Sequence, residues 1–158
     1  MSKTTAATAA LTKAGIGFTP LPYDYDPDAN KIGLHAAAAI GRDPAQVFKT
    51  LMAEVDGKPV CVVVPSDGEV SMKKLAATFA GKSATMMKPA NAERLTGFKV
   101  GGISPFGQRK QVPTAIDETC ELFDDIAING GQRGLLLALA PADAIAAAQM
   151  RIADLMAA

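Results

Sequence analysis

A surplus of charge of either sign is missing from this chain. Lys and Arg total 16, Asp and Glu total 16, and the formal net charge is zero. A protein that wraps nucleic acid through its phosphates carries a basic excess. Gripping a duplex is therefore excluded, although touching the end of an RNA is not. Cysteine is scarce as well. Cys61 and Cys120 stand far apart with no ligand partner beside either, which excludes a zinc spacing and a Cys-x-x-Cys redox pair. No metal and no cofactor are expected. Histidine occurs once, so a Ser-His-Asp or Cys-His arrangement would rest on His35 alone. No apolar run approaches the roughly 18 residues of a membrane span, and no basic stretch followed by an apolar one opens the chain. A cytoplasmic, reduced protein with no membrane contact is the expectation. Linkers, repeats and low-complexity blocks are also wanting, so residues 1–158 are expected to form one domain. At 49% hydrophobic and 20% charged, the chain can bury enough apolar surface to fold without staples.

Local patterns predict a mixed α+β domain. A helix is expected over residues 3–14, capped by Thr4 or Thr5 and ended by Gly15. The segment Phe18 to Tyr25 holds two prolines and suits an edge strand. A polar turn over Asp24 to Asn30 and a helix over Ile32 to Ile40 follow. Asp43-Pro44 reads as a helix start, with an Asp cap and Pro at the first position. Val47 to Met52 reads as a strand, Asp56-Gly57 as a hairpin turn, and Val60 to Val64 as a strand covered on both faces. Ser71 caps a helix ending at Gly81; Ala84 to Met87 is a short strand; Asn91 opens a helix that stops at Gly97. Strands over Leu122 to Ile128 and Leu135 to Leu139 flank Asn129-Gly130-Gly131, expected to be the turn between them. The last helix starts near Pro141, with Ile145, Ile152, Leu155 and Met156 on one stripe.

Few residues offer chemistry. His35 has no nucleophile near it to activate. Asp24, Asp26 and Asp28 alternate like calcium ligands but lack the glycine and closing glutamate of an EF-hand. Cys61, inside an apolar strand, behaves as a small hydrophobe. Lys49 is more informative. It shares a strand face with Val47 and Leu51, so it either snorkels out or faces a polar pocket that uses its charge. The segment Gly101-Gly102-Ile103-Ser104-Pro105-Phe106-Gly107 has no dinucleotide fingerprint. Its paired glycines either form a tight turn or let backbone amides converge on a small ligand.

Four segments stand out together: Tyr23-Asp24-Tyr25-Asp26-Pro27, Asp43 to Leu51 with Phe48-Lys49-Thr50-Leu51 at its end, Val100 to Gly107, and Gly130-Gly131-Gln132-Arg133-Gly134. In this order they resemble the YbaK family of aminoacyl-tRNA deacylases, related to the editing domain inserted in bacterial prolyl-tRNA synthetases. The resemblance implies a compact domain around a mixed, partly barrel-like sheet with packed helices. It implies hydrolysis of a wrongly charged aminoacyl ester at the 3′ end of a tRNA. In the branch this chain looks most like, the substrate is cysteinyl-tRNA(Pro); alanyl-tRNA(Pro), or a non-catalytic adaptor for a synthetase, are the alternatives. Lys49 matches the family's essential lysine, and Tyr23, Thr50, Gly101 and position 129 match residues that line its pocket. Ile103, Ser104 and Gly130, within the matching segments, join the expected substrate-binding set. The branch commonly has Ser-Gly-Gly where this chain has Asn129-Gly130-Gly131, a difference that bears on pocket size.

An aminoacyl ester is already activated, so a protein nucleophile is dispensable. The expected route is attack by the substrate's own thiol, or by water, with the protein orienting the reactants. Amides near Gly101 and Gly102 would stabilise the oxyanion, and Lys49 would anchor the terminal adenosine phosphate or a developing charge. The expected partners are the acceptor end of tRNA(Pro) and, transiently, prolyl-tRNA synthetase.

Overall fold

A computed structural model describes residues 4–28 and 32–158. Lys3 of the expected first helix, and Ala29 and Asn30 of the expected polar turn, lie outside the described residues. The described residues form five α-helices and eight strands: α1 Ala6–Lys13, β1 Thr19–Pro22, α2 Ile32–Ile40, β2 Val47–Val55, β3 Lys58–Pro65, α3 Met72–Thr78, β4 Ala84–Met86, α4 Pro89–Thr96, β5 Thr114–Asp117, β6 Ile126–Gln132, β7 Leu135–Leu139, α5 Pro141–Ala148 and β8 Arg151–Ala153.

The longest pairing in the sheet is the β2–β3 hairpin. Asp56 and Gly57 both take positive φ (50° and 80°), as a two-residue turn matched to strand twist requires, and Val55 pairs with Lys58. The pairing path is β1-β7-β6-β2-β3-β5-β8, with β4 added to β2. Pairs β2–β6, β3–β5 and β5–β8 are parallel and the others antiparallel, so the sheet is mixed as expected. The Pro-punctuated β1 lies at one end of the path, where missing N–H donors cost no ladder bond.

Helices cover both faces, and alternation sorts the strands between them. Phe48, Met52, Cys61, Val63, Ile126 and Ile128 pack with Ala7 and Leu11 of α1, Ala92 of α4 and Ala144 of α5. On the opposite face Val62, Val64 and Ala53 meet Leu75 of α3, while Val47, Ala127 and Leu136 meet Ala36 and Ala37 of α2. Burial on both faces is why β3 reads as an unbroken apolar run.

Several expected boundaries shift. The strand expected over Leu122 to Ile128 begins only at Ile126, since Leu122 is exposed at the end of a 3-10 turn over Glu118–Leu122, and the helix capped by Ser71 ends at Thr78 and not at Gly81. α5 ends at Ala148, because Gln149 is left-handed (φ 51°), and Ile152 then pairs in β8 with Ile116. Leu155 is buried beside α3, and its N–H donates to the buried Asp117 carboxylate at 2.9 Å. The 3.6-residue stripe through Ile152 and Leu155 was thus a coincidence of spacing. α4 opens at Pro89, not Asn91. Asn129-Gly130-Gly131 is no turn: β6 runs on to Gln132 through a register shift, and Arg133-Gly134 makes the reversal.

Candidate active site

β2 is nine residues long, but two short strands divide its outer edge. β6 pairs with Val47 and Phe48, and β4 with Ala53 to Val55. The Met87 N–H extends the β4 side by donating to the Met52 carbonyl at 3.1 Å. Between them, residues 49–51 have β3 on one edge and no strand on the other. The Ser66 N–H donates to the Val47 carbonyl at 2.8 Å, which sets the parity of the ladder. Residues 47, 49 and 51 exchange bonds with β3, so Thr50 turns its own N–H and C=O toward the unfilled edge.

A cavity of about 360 Å³ opens at this gap. Val47, Phe48, Leu51 and Met52 form its apolar base, and Met86, Met87, Pro89 and Ala92 bring in the end of β4 and the start of α4. Tyr23 and Tyr25 close one side, and Val100, Gly101 and Ile103 another.

Of the residues expected at the site, Lys49, Thr50, Tyr23, Gly101, Ile103 and Asn129 line this cavity. Lys49 is half-buried, and among the described residues the two ion pairs, Arg42–Asp125 and Lys74–Asp154, do not involve it. Thr50 Oγ1 is buried and has no hydrogen-bond partner among the described residues. A buried hydroxyl left in this state costs about 1–3 kcal/mol.

Gly102, Ser104 and Gly130 do not line it, and each has a structural reason to be where it is. The Gly102 N–H already donates to the Lys99 carbonyl at 2.8 Å, so it is not free for an oxyanion. A Cβ at Gly102 would lie 2.7 Å from the Arg133 backbone nitrogen; the glycine lets the loop press on the β6–β7 turn. Ser104 is fully buried, its Oγ accepting from the Phe106 N–H and its carbonyl from the Gln108 side chain. The Gly130 carbonyl accepts from Thr5 Oγ1 at 2.6 Å, tying β6 to the start of α1.

Asn129 works as a brace. Its Oδ1 accepts from the Gly131 N–H at 2.7 Å and the Gln132 N–H at 3.3 Å, shaping the irregular stretch of β6, while its Nδ2 donates to the Gly101 carbonyl at 3.2 Å. Arg133 completes the clamp: Nε donates to the Val100 carbonyl at 2.9 Å and the guanidinium lies 5.3 Å from the Tyr25 ring centre. Gly101 has φ 89°, and its added Cβ would stand 2.6 Å from the Tyr25 hydroxyl. Tyr25 was absent from the expected site set. The signal that could have found it is its i, i+2 relation to Tyr23 in an extended segment, which puts both rings on one side. The α4 wall had no such signal, because only tertiary packing brings Met86 and Met87 to β2.

His35 does not line the cavity; its Nε2 pairs with the Asp24 carbonyl at 3.1 Å and its ring stands edge-on to Tyr23 at 6.2 Å. Burial pushes the Tyr23 phenol up, partly offset by a hydrogen bond from the Gly134 backbone. Burial also pushes the Cys61 thiol up to about 12, and burial with the Glu121 and Asp117 charges pushes Cys120 up to about 11. Neither is a thiolate at neutral pH. No group of three or more His, Cys, Asp or Glu suited to a metal occurs among the described residues.

The sequence model of one family, the aminoacyl-tRNA editing domain, matches residues 26–147. The chain belongs to that family. The match contains the divided edge of β2, the Gly101 loop and the irregular stretch of β6, so it covers the cavity lining except Tyr23 and Tyr25. A relative from Enterococcus faecalis, EbsC, named as a candidate Cys-tRNA(Pro)/Cys-tRNA(Cys) deacylase, is 36% identical over 66% of this chain. The match spans 65% of EbsC, just under two thirds of its length. The Escherichia coli Ser/Thr-tRNA deacylase ProXp-y is 26% identical over 92% of this chain and 88% of its own. A proline–tRNA ligase of Limosilactobacillus fermentum is 25% identical over 80% of this chain and 24% of the ligase. The fold is shared with a solved structure described as a candidate trans-editing enzyme for prolyl tRNA synthetase: TM-score 0.85, 23% identity, 99% of this chain and 100% of that one. Among the described residues no helix is long and apolar enough to cross a membrane.

Proposed function

We propose that this editing domain hydrolyses the ester of a misacylated tRNA, with cysteinyl-tRNA(Pro) as its substrate, acting in trans for prolyl-tRNA synthetase. The observation that carries the reading is Thr50 at the divided edge of β2, with an unpartnered buried hydroxyl and a backbone N–H and C=O turned to the cavity. An aminoacyl ester has an ammonium and a carbonyl one carbon apart, the same spacing as a residue of a strand. It can pair with Thr50 as a one-residue strand would, ammonium to the Thr50 carbonyl and ester carbonyl to the Thr50 N–H. The apolar lining, with Met52, Met86 and Met87, accepts a small side chain such as that of cysteine.

Lys49 anchors the terminal nucleotide through its charge. Gly101 and Ile103 line the cavity, and among the described residues their N–H groups donate to no acceptor. They take the oxyanion role that the engaged Gly102 amide cannot fill. With both protein thiols held neutral and His35 occupied, either water attacks the ester carbonyl or the substrate thiol does. In the second case a cyclic thioester forms while the tRNA hydroxyl leaves with the thiol's proton, and water then opens the thioester to free cysteine. Editing of this kind answers the weak discrimination of synthetase pockets, about 1–3 kcal/mol between near-isosteres.

The test is a panel of Cys-, Ser-, Thr-, Ala- and Pro-charged tRNA(Pro). Cysteinyl-tRNA(Pro) is expected to be cleaved fastest. The free Thr50 hydroxyl and the ProXp-y relative favour a second reading, hydrolysis of a seryl or threonyl ester, which faster cleavage of those two would establish. Cleavage of none of the five by the folded protein would overturn the proposal.

A further inference from the structure

A second hollow of about 370 Å³ adjoins the cavity, with Met87 in the wall of both. α4 is the partition. Pro89 and Ala92 face the first cavity, while Asn91, Arg94 and Leu95, at i, i+3 and i+4, face the second. The loop after the glycine segment closes the far side. The Arg109 N–H donates to the Thr96 carbonyl at 2.8 Å, the Lys110 N–H to the Leu95 carbonyl at 3.2 Å, and the Arg109 guanidinium to the Arg94 carbonyl at 3.4 Å. Arg109 and Lys110 are thus held beside Arg94.

The charge of this furrow departs from that of the chain. Three exposed cations, Arg94, Arg109 and Lys110, meet one carboxylate, Glu54, on a protein of zero net charge. None of the three forms an ion pair among the described residues. Arg94 instead donates to the neutral Asn91 side chain. The one acid of α4, Glu93, does not line the furrow and accepts from the Val100 N–H at 2.8 Å. Exposed cations held in a concave strip without anionic partners are suited to an extended polyanion.

We propose that this furrow binds phosphates of the RNA strand whose 3′ end enters the cavity. The inference rests on the function proposed above for the cavity. Met87 stands in the wall between the two hollows, so a strand leaving the cavity need only cross α4 to reach the cations. A zero net charge and a polyanionic substrate are reconciled in this way: the basic surface is local and small, sized for the acceptor end and not for a duplex.

The test compares wild type with Arg94→Gln/Arg109→Gln/Lys110→Gln, and with Arg109→Gln/Lys110→Gln, which leaves α4 untouched. The substrates are the aminoacyl-tRNA cleaved best in the panel and the matching aminoacyl-adenosine, which has no phosphate. For the tRNA, KM is expected to rise about tenfold or more in the triple variant with kcat within twofold, and the log–log salt dependence of kcat/KM to become shallower by about 2. For aminoacyl-adenosine, kcat/KM is expected to stay within about twofold. An unchanged KM for the tRNA, or equal losses on both substrates, overturns the furrow. Direct binding of uncharged tRNA keeps the two proposals apart. Weaker binding by the variants supports the furrow even where wild type cleaves nothing, and equal binding overturns it. Displacement of the tRNA by polyglutamate at equal charge would show an acidic polypeptide as the occupant and overturn RNA.

Discussion

Replacing Thr50 by valine separates stability from activity. Thr50 Oγ1 is buried in the cavity wall with no hydrogen-bond partner, so the folded protein carries the desolvation of a hydroxyl without compensation. Such a group costs about 1–3 kcal/mol, and a methyl of the same shape removes the cost while suiting a β-strand. Taking the low end, Thr50→Val is expected to stabilise the protein by about 1 kcal/mol. For a chain of 158 residues that is a rise in Tm of about 2–4 °C. Activity is expected to move the opposite way. If the hydroxyl is satisfied only by substrate, its loss removes one neutral hydrogen bond from the reacting complex, about 0.5–1.5 kcal/mol, or a fall of about 2- to 10-fold in kcat/KM. Thr50→Ser keeps the hydroxyl and is expected to keep the activity. Calorimetry and single-turnover deacylation measure the two effects on the same preparations. A lower Tm in Thr50→Val would mean the hydroxyl is already paired in the free protein. A higher Tm with full activity would mean substrate never reaches it. Either result refutes the reasoning.

Lys49→Ala is expected to abolish deacylation while shifting Tm by no more than about 2 °C, since it removes a cation without an ion-pair partner from a half-buried position; near-normal activity would leave Lys49 a snorkelling strand residue. Gly101→Ala forces a side chain into φ 89° and against the Tyr25 hydroxyl, so a loss of about 1–2 kcal/mol from the backbone alone is expected in urea melts, with a larger drop in kcat/KM than Ser104→Ala. Ser104→Ala loses the acceptor for the Phe106 N–H and is expected to cost stability of about 1 kcal/mol, with little effect on turnover of the folded protein. Cys61→Ala with Cys120→Ala is expected to retain cleavage of cysteinyl-tRNA(Pro), because both thiols are buried and protonated; a folded but inactive double variant would restore a protein nucleophile. The same thiols predict an alkaline limb. The unfolded chain releases their protons near its ordinary thiol range while the folded one holds them to about 11 and about 12, so deprotonation favours unfolding and stability falls as pH rises above about 9. Urea midpoints at pH 8 and 10.5 check this, with a smaller fall expected in the double alanine variant.

What could be read along the chain were features whose cause is local. Thr5 caps α1 by bonding the Thr8 N–H, Asp43 caps the short turn before β2, and Asp56-Gly57 makes the hairpin, each through bonds or dihedrals within a few residues. The apolar run Val60 to Val64 announced a strand covered on both sides because its composition alone demands it. Lys49 stood out as a cation amid apolar neighbours, and its segment carried the family resemblance. Other features depended on partners far away in the sequence. Nothing near Gln149 announced that its left-handed turn would end α5, so the stripe through Ile152 and Leu155 misled. Gly102 and Ser104 looked like Gly101 and Ile103 in sequence. Only the fold engages the Gly102 amide with Lys99 and buries Ser104, leaving the other two in the cavity wall. The cavity itself exists because β4 and β6 each cover a different end of β2. A strand's free edge is a property of its neighbours, and no residue of β2 encodes their absence.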